Sequence, residues 1–313
     1  MGLVDSHIAR VEASVAKFDA GRLRKLSEAL VRDGEMKEPE RVLLDMDGMN
    51  WGQLIEDYRN RADEYCTVPF DPEGSKFRLY PGGVTIWSGY PGAGKTTLIR
   101  QTVCHLMRDG HGVFFASLEE DPKDVLVRLV QSAAGTMMPT REHGEAFGRL
   151  YGGKVKVWGV IGIAKHRKIV GAIQQLAAQG MTHAFIDSLM CLDIDNNDWE
   201  LQRQFANLLA ATARAHKIHI HLVAHPRKPV QGNQEIDLSD VAGAREIGGV
   251  ADNVIFVRRG ERQDDGGVSV PMRVAIKKQR HGSGMLCEII GDFHRDYRQF
   301  HIGQRVGPIQ YIA

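Results

Sequence analysis

The chain has 313 residues, and its 40 Lys and Arg residues against 39 Asp and Glu residues give a formal net charge of +1. At about 150 residues per domain, this length predicts one or two domains, with a core that needs no disulfide or metal. The charge balance argues against a polybasic or polyacidic protein, although a few basic loops can still bind nucleic acid. Its four cysteines lie far apart without a CxxC pair, which argues against a zinc ribbon and predicts reduced thiols. With no apolar run of the ~20 residues that cross a bilayer, we expect a cytoplasmic protein without a membrane partner.

The first 45 residues are predicted to be a separate N-terminal segment. Apolar residues recur at helical spacing over residues 6–32, which predicts one or two amphipathic helices. These pack either on their own domain or on a neighbouring subunit. Residues 33–45 are polar, as is typical of a linker, and Trp51–Tyr65 is predicted as a further helix. We therefore divide the chain into residues 1–45 and a main domain over residues 46–313.

From residue 77 onward, short apolar runs alternate with amphipathic helical stretches. Such alternation predicts an α/β fold with a mostly parallel sheet that is covered by helices on both faces. The predicted strands are Val84–Trp87, Val113–Leu118, Val155–Val157, His183–Ile186, Ile218–Ala224 and Val254–Val257. The predicted helices cover residues 95–109, 121–134, 166–179 and 198–216. Near the C-terminus, Val254–Arg259 and Val268–Lys278 flank a turn-rich segment, which predicts an antiparallel hairpin.

The strongest functional motif is a phosphate-binding loop, the P-loop, at residues 89–96. Its sequence GYPGAGKT matches GxxxxGK[ST], and it follows a predicted strand and precedes a predicted helix, which argues against a chance match. Backbone N–H groups of such a loop surround an anion, and the helix dipole adds to the attraction. Lys95 is predicted to bind the phosphates of ATP or another NTP, and Thr96 to bind Mg²⁺. The predicted nucleotide-binding residues are Gly89, Gly92, Ala93, Gly94, Lys95, Thr96 and Thr97.

Three polar residues are predicted at strand ends near the P-loop. Asp187 ends one strand and either holds Mg²⁺ through water or is an ordinary strand-end acid. Glu119 follows a second strand and is placed to activate the attacking water. Alternatively, Glu119 and the next residue, Glu120, are acids at the start of a helix, where they suit its dipole. We favour this interpretation for Glu120. His225 ends a third strand, where it can sense the γ-phosphate.

Three histidines of that third strand share one face, because side chains alternate along a strand. They are His219, His221 and His225. Their spacing suggests a metal site, but no carboxylate or cysteine partner is implied and the strand is expected to lie inside the sheet. We therefore do not predict a metal there.

Six motifs follow one another in the order GYPGAGKT, SLEE, FIDS, LVAHPRKP, LSDVAGAREIGGVADNVIFVRR and AIKKQRHGSG. In this order, over residues 75–295, the chain resembles the DnaB-like replicative helicases and their phage primase-helicase and Twinkle relatives. The resemblance implies a RecA-like ATPase core in a hexameric or heptameric ring, with ATP bound between subunits. The fold predicted overall is a RecA-like P-loop core with a C-terminal antiparallel hairpin and a short N-terminal helical extension.

The resemblance also implies roles for individual residues. Glu119 would be the catalytic base, Asp187 the acid on the magnesium side and His225 the γ-phosphate sensor. Arg280, with Lys278, would be an arginine finger that reaches the ATP of the neighbouring subunit, and a solvated basic edge is the alternative for these two cations. The base of the nucleotide would stack near Arg258, Tyr297 or Phe300.

Two loops would line the central channel and bind single-stranded DNA. Glycine-rich loops present N–H groups to phosphates, and a few cations suffice when several copies line one channel. The implied DNA-binding residues are Arg227, Lys228, Gly243, Arg245, Gly248 and Gly249.

The function predicted from these motifs is an ATP-driven, ring-shaped replicative helicase or translocase. A primase region does not precede the core, so a separate primase or loader is expected as a partner. The gene is expected to be bacterial, with a phage or a plasmid as a candidate source. The alternative is a RecA-like recombination, repair or regulatory ATPase that does not unwind DNA.

Overall fold

A computed structural model describes residues 49–60, 64–195, 197–226, 244–260, 269–281, 286–303 and 307–312. The chain divides into two compact units, residues 1–59 and 60–313. The helices predicted over residues 6–32, and the domain boundary at residue 45, lie outside the described residues and stay predictions. Within the described ranges, none of the helices combines the length and the apolar character that a bilayer crossing requires.

The first described helix, α1, covers Trp51–Asn60. It begins where the side chain of Asn50 accepts a hydrogen bond from the backbone N–H of Gln53, at 3.1 Å, which satisfies one of the free donors of the first turn. The helix is described as far as Asn60, and Tyr65, its predicted end, is not helical.

Nine strands in the described residues form one sheet, in the order β3-β2-β4-β5-β1-β6-β7-β8-β9. The strands are β1 Val84–Ser88, β2 Val113–Ser117, β3 Val155–Val157, β4 His183–Asp187, β5 His219–Val223, β6 Asn253–Arg259, β7 Ser269–Gln279, β8 Cys287–His294 and β9 Gln299–His301. The six strands from β3 to β6 pair in parallel, and β6 to β9 pair antiparallel. The predicted parallel sheet and C-terminal antiparallel hairpin are confirmed, and β8 and β9 extend the hairpin.

Helices follow most of the parallel strands, as the alternating pattern predicts. They are α2 Lys95–Arg108, α3 Pro122–Ala134, α4 Arg141–Tyr151, α5 His166–Ala177, α6 Trp199–His216 and α7 Ala244–Val250, with a short 3₁₀ turn at Leu189–Cys191. Two of them differ from the prediction. Helix α4 is absent from the predicted elements, and α7 lies where the second channel loop is expected.

The central strands are buried on both faces, because helices cover the sheet on each side. Along β1, the side chain of Trp87 packs in one apolar cluster with Phe115 and Phe185. The neighbouring Ile86 points to the other face and packs there with Ile186. This alternation explains why these strands read as continuous apolar runs in the sequence.

The parallel strands end at a common edge of the sheet, which we call the carboxyl edge. Ser117 at the end of β2 lies beside Asp187 at the end of β4, and Trp87 in β1 lies beside Val223 at the end of β5. The opposite edge, where the same strands begin, we call the amino edge. Ligands of open α/β sheets bind beyond the carboxyl ends of the strands, so the carboxyl edge is the expected place for the active site.

Candidate active site

The P-loop leaves β1 at the carboxyl edge and leads into α2. Its first residue, Gly89, has φ 147°, and a Cβ atom there would lie 2.3 Å from the carbonyl oxygen of Val257, so only glycine fits. Gly94 caps α2 in the left-handed conformation, with φ 94°. The side chain of Lys95 lies inside the loop, where its Nζ donates hydrogen bonds to the carbonyl oxygens of Gly89 at 2.6 Å and Tyr90 at 3.1 Å.

Lys95 is a buried cation that two acids partly compensate. Burial lowers the pKa of its ammonium group, and the negative charges of Asp187 and Glu119 act in the opposite direction. A lysine held in this way can form charge-assisted hydrogen bonds with phosphate oxygens.

Asp187 and Thr96 meet at the end of β4. Burial raises the pKa of the Asp187 carboxyl to about 6, a hydrogen bond with Thr96 lowers it, and the charge of Glu119 raises it further. Carboxylate and hydroxyl oxygens are the ligands that Mg²⁺ prefers. The two residues therefore fit a magnesium site, directly or through water.

Glu119 lies between three side chains at the carboxyl edge. Its Oε1 accepts a hydrogen bond of 2.6 Å from the Ser188 hydroxyl and lies 4.0 Å from Nε2 of His225. The Cys191 Sγ is also close, at 3.8 Å. Burial and the charge of Lys95 lower the pKa of His225, so its imidazole is neutral at pH 7. The carboxylate is half exposed, which leaves room for water beside it.

Glu120 has a different environment from its neighbour. Its carboxylate forms ion pairs with Arg100 and with Arg128, the latter at 2.8 Å. Because the Arg100 side chain is only 4% exposed, Glu120 compensates a buried charge. The two consecutive acids therefore have separate surroundings, and of the two only Glu119 acts on Lys95 and His225 as well as on Asp187.

A cavity of about 360 Å³ opens beside the P-loop, large enough for part of a nucleotide. Its lining combines P-loop residues with apolar and basic side chains of the C-terminal strands. The lining residues are Gly92, Ala93, Gly94, Thr97, Met137, Arg259, Val270, Met272, Phe293, Arg295 and Arg298. The suggestion that the base stacks on Phe300 is wrong, because that ring is fully buried in the core.

Comparisons with known proteins agree with this geometry. Residues 77–231 match the family model described as AAA domain. A solved structure described as an ATPase domain has a TM-score of 0.68 at 18% identity, over 82% of this chain and 99% of that one. A second, described as a DnaB-like replicative helicase and its interactions with primase, has a TM-score of 0.67 at 17% identity, over 95% of this chain and 78% of that one. None of the curated proteins matches.

The chain has the fold of a DnaB-like helicase ATPase domain. The resemblance and the RecA-like fold class are thus confirmed, and the matches together support an ATPase.

Two predicted functional cations, Lys278 and Arg280, lie away from the P-loop, at the amino edge. The Nζ of Lys278 donates to the carbonyl oxygens of Gly248 at 2.7 Å and Gly249 at 3.0 Å. The Arg280 guanidinium donates to Oδ1 of Asp252 at 3.3 Å and stays 43% exposed. Within one chain, Lys278 therefore binds the end of α7, and Arg280 binds the residue that precedes β6.

The DNA-binding predictions are only partly within the described residues. Arg227, Lys228 and Gly243 lie outside them, as does the side chain of Arg245. The second channel loop is predicted as irregular chain, but α7 begins at Ala244, so the two glycines in its last turn are helical. Their DNA contacts, like those of the other residues, stay a prediction.

Sequence reasoning missed several residues of the site. Ser188 is next to Asp187 in the sequence, but its contact with Glu119 depends on the pairing of β2 with β4, which no local pattern reveals. The arginines of the cavity, Arg259, Arg295 and Arg298, come from three positions in the C-terminal strands and turns. A basic residue at a strand end is a weak signal until the sheet order is known.

Proposed function

We propose that the protein is an ATP-dependent, ring-shaped DNA helicase or translocase that acts on single-stranded DNA. One observation carries this proposal. The P-loop, Glu119 and Asp187 lie at one edge of the sheet, whereas Arg280, the proposed finger, lies at the other edge. A site of this kind is completed by a neighbouring subunit.

The residues at the carboxyl edge have the roles of a phosphoryl-transfer site. Lys95 binds the phosphates of ATP, and Thr96 with Asp187 holds Mg²⁺, which neutralises charge on the transferring group. Glu119 accepts a proton from the attacking water as the general base. His225 lies close enough to Glu119 to sense whether the γ-phosphate is present.

Arg280 cannot serve the P-loop of its own chain. Its backbone N–H donates to Asp252 at 2.9 Å, and the N–H of Asp252 donates to the carbonyl of Val84, at the start of β1. Gly89 follows Val84 by five residues, directly after the end of β1, and this spacing corresponds to about 17 Å. A repeated head-to-tail interface closes into a ring and brings this edge of one subunit to the nucleotide of the next. The guanidinium then stabilises charge on the γ-phosphoryl group.

His225 also connects the nucleotide to DNA through the chain itself. It is followed after one residue by the segment 227–243, which contains Arg227, Lys228 and Gly243 of the proposed channel loops. Single-stranded DNA is bound there through its backbone, and a separate primase or loader acts with the ring. The amphipathic segment over residues 6–32 docks on the adjacent subunit, and the protein works in the cytoplasm of a bacterium.

Steady-state ATP hydrolysis by the full chain, with and without single-stranded DNA, tests the proposal. We expect DNA to stimulate hydrolysis severalfold and the protein to displace a strand from a forked duplex in the presence of ATP. Lys95→Ala provides the matched control, because it removes the phosphate-binding ammonium group. It should lose both activities.

Two outcomes would count against the proposal. Stimulation by DNA without strand displacement would favour a recombination or repair ATPase of RecA type. A rate of ATP hydrolysis that is the same with and without DNA would favour a regulatory ATPase.

A further inference from the structure

Three potential metal ligands meet at the amino edge of the sheet, whereas the P-loop lies at the carboxyl edge. Cys66 comes from the segment that precedes β1, His111 from the turn between α2 and β2, and His183 from the first position of β4. Their ligand atoms all lie within 4.8 Å of one another. The sequence gives no hint of this cluster, because its members are 45 and 117 residues away from Cys66.

The distances fit a metal ion bound by sulfur and nitrogen. The Sγ of Cys66 lies 3.2 Å from Nε2 of His111 and 3.5 Å from Nε2 of His183. In a tetrahedral zinc site, Zn–S and Zn–N bonds of about 2.3 and 2.0 Å place the sulfur about 3.5 Å from each nitrogen. Small side-chain rotations are therefore enough to close the site around an ion.

Neighbouring groups orient each of the ligands. The backbone of Cys66 exchanges hydrogen bonds with Leu79, at 2.7 and 2.8 Å. Nδ1 of His111 lies 3.3 Å from the Thr182 hydroxyl, which leaves Nε2 free to face the sulfur. Such a contact to the second ring nitrogen is common for histidines that bind metals.

Without an ion, a chain of hydrogen bonds runs from Trp87 through His221 and His183 towards Cys66, and the donor and acceptor of each bond can be assigned. The indole of Trp87 can only donate, so Nδ1 of His221 accepts from it at 3.1 Å. His221 then donates through Nε2 to Nδ1 of His183 at 3.2 Å, and the remaining proton of His183 faces Cys66. Burial raises the pKa of the Cys66 thiol to about 12, which keeps it protonated. Binding of the ion releases one proton to solvent, that of the Cys66 thiol. His183 keeps its single proton, which moves from Nε2 to Nδ1 so that Nε2 can bind the ion, and the hydrogen bond between Trp87 and His221 is lost in exchange.

We propose that Cys66, His111 and His183 form a binding site for one Zn²⁺ ion, with water in the fourth position. A thiolate with two imidazoles suits zinc, whereas Mg²⁺ prefers the oxygen ligands at the carboxyl edge. The negative charge of Asp109 acts on both Cys66 and His111 and favours a cation at this place, and the opposing charge of Lys154 has a smaller effect on His111. The ion fastens the chain segment that enters β1 to the start of the central strands.

Titration of the full chain with Co²⁺, in the absence of nucleotide, tests the site. Cobalt takes the place of zinc and gives a charge-transfer absorption only when a thiolate binds it. We expect this absorption to saturate at one equivalent per chain and to disappear when Zn²⁺ is added. Cys66→Ser should abolish it, whereas Cys287→Ser, which removes a half-buried thiol outside the cluster, should leave it unchanged.

A second variant keeps the test decisive if Cys66→Ser does not fold. His111→Gln retains the thiol, and we expect it to weaken cobalt binding by more than about tenfold. The proposal is overturned if the wild type gives no thiolate absorption, or if His111→Gln binds cobalt as tightly as the wild type. The cluster is then a metal-free chain of hydrogen bonds. Neither result depends on hydrolysis of ATP.

Discussion

The consecutive acids Glu119 and Glu120 offer a sharp test of the active site, because their side chains have opposite surroundings. The first faces Ser188 and His225, and the second forms ion pairs with Arg100 and Arg128. Replacement of each acid by glutamine keeps its shape and removes its charge. We expect the first variant to lose activity and the second to lose stability.

For Glu119→Gln, the expected loss is catalytic. The amide oxygen still accepts the hydrogen bond from Ser188, but the side chain can no longer take a proton from water. General base catalysis contributes about 10² to 10⁴ in rate, which corresponds to about 3–5 kcal/mol of activation free energy. The free energy of unfolding should change little, because the carboxylate is 49% exposed.

For Glu120→Gln, the expected loss is in folding. The variant removes the ion-pair partner of the buried Arg100 guanidinium, although the amide oxygen can still accept one hydrogen bond. Hydrogen bonds to charged groups contribute about 1.5–3 kcal/mol, so the free energy of unfolding should fall by about 1–3 kcal/mol. Loss of the ion pair with Arg128 adds little to this destabilisation, because the Arg128 side chain is 40% exposed.

Both variants are compared by the rate of ATP hydrolysis at saturating ATP, by binding of a fluorescent nucleotide and by urea unfolding. Glu119→Gln should bind nucleotide normally and hydrolyse it at least about 100-fold more slowly. Glu120→Gln should hydrolyse within about threefold of the wild type under conditions where it is folded. The assignment of the base is refuted if Glu120→Gln abolishes hydrolysis while Glu119→Gln does not.

Two further predictions concern the helix that follows the P-loop. The side chain of Gln101 forms two buried hydrogen bonds with the backbone of Phe300, as a neighbouring strand would. Its amide N–H donates to the Phe300 carbonyl oxygen at 2.9 Å, and its amide oxygen accepts from the Phe300 N–H at 2.7 Å. Gln101→Ala should lower the free energy of unfolding by about 2–6 kcal/mol in urea, and a loss below about 1 kcal/mol would contradict this. Burial lowers the pKa of His105 from 6.5 to about 4, despite the opposing charge of Asp109. As the pH drops, His105 is therefore protonated in the unfolded chain at a higher pH than in the folded protein. The free energy of unfolding falls as the pH drops from 6.5 towards 4, by up to about 1.4 kcal/mol per pH unit for this group. His105→Gln should reduce that slope in urea titrations at several pH values, and an unchanged slope would exclude His105 as its source.

The sheet and the P-loop could be predicted from the sequence because both depend on local patterns. Each central strand is a short apolar run, and the phosphate loop has a fixed spacing of glycines before Lys95. Helix α4 escapes prediction because Gly144 and Gly148 interrupt its apolar pattern. Helix α7 has the sequence pattern of a loop for the same reason, since two of its seven residues are glycine.

Contacts between distant segments could not be predicted in this way. The hydrogen bond from Ser188 to Glu119 requires that β2 and β4 pair, although helices and β3 separate them in the chain. The cluster of Cys66, His111 and His183 likewise depends on where three segments begin or end at the amino edge. Strand order is set by packing of the whole domain, so the local pattern of any one segment does not contain it.

We propose that Arg280 of one subunit completes the ATP site of the next. Two variants, Lys95→Ala and Arg280→Ala, should each be inactive alone, because every interface then lacks either the phosphate-binding lysine or the finger. In an equimolar mixture, roughly a quarter of the head-to-tail interfaces combine an intact Lys95 with an intact Arg280.

The measurement is therefore the rate of DNA-stimulated ATP hydrolysis by that mixture. We expect hydrolysis to return when the two inactive variants are mixed and allowed to exchange subunits. If the mixture stays inactive although it forms mixed rings, or if Arg280→Ala is active alone, Arg280 does not act on the ATP of the neighbouring subunit.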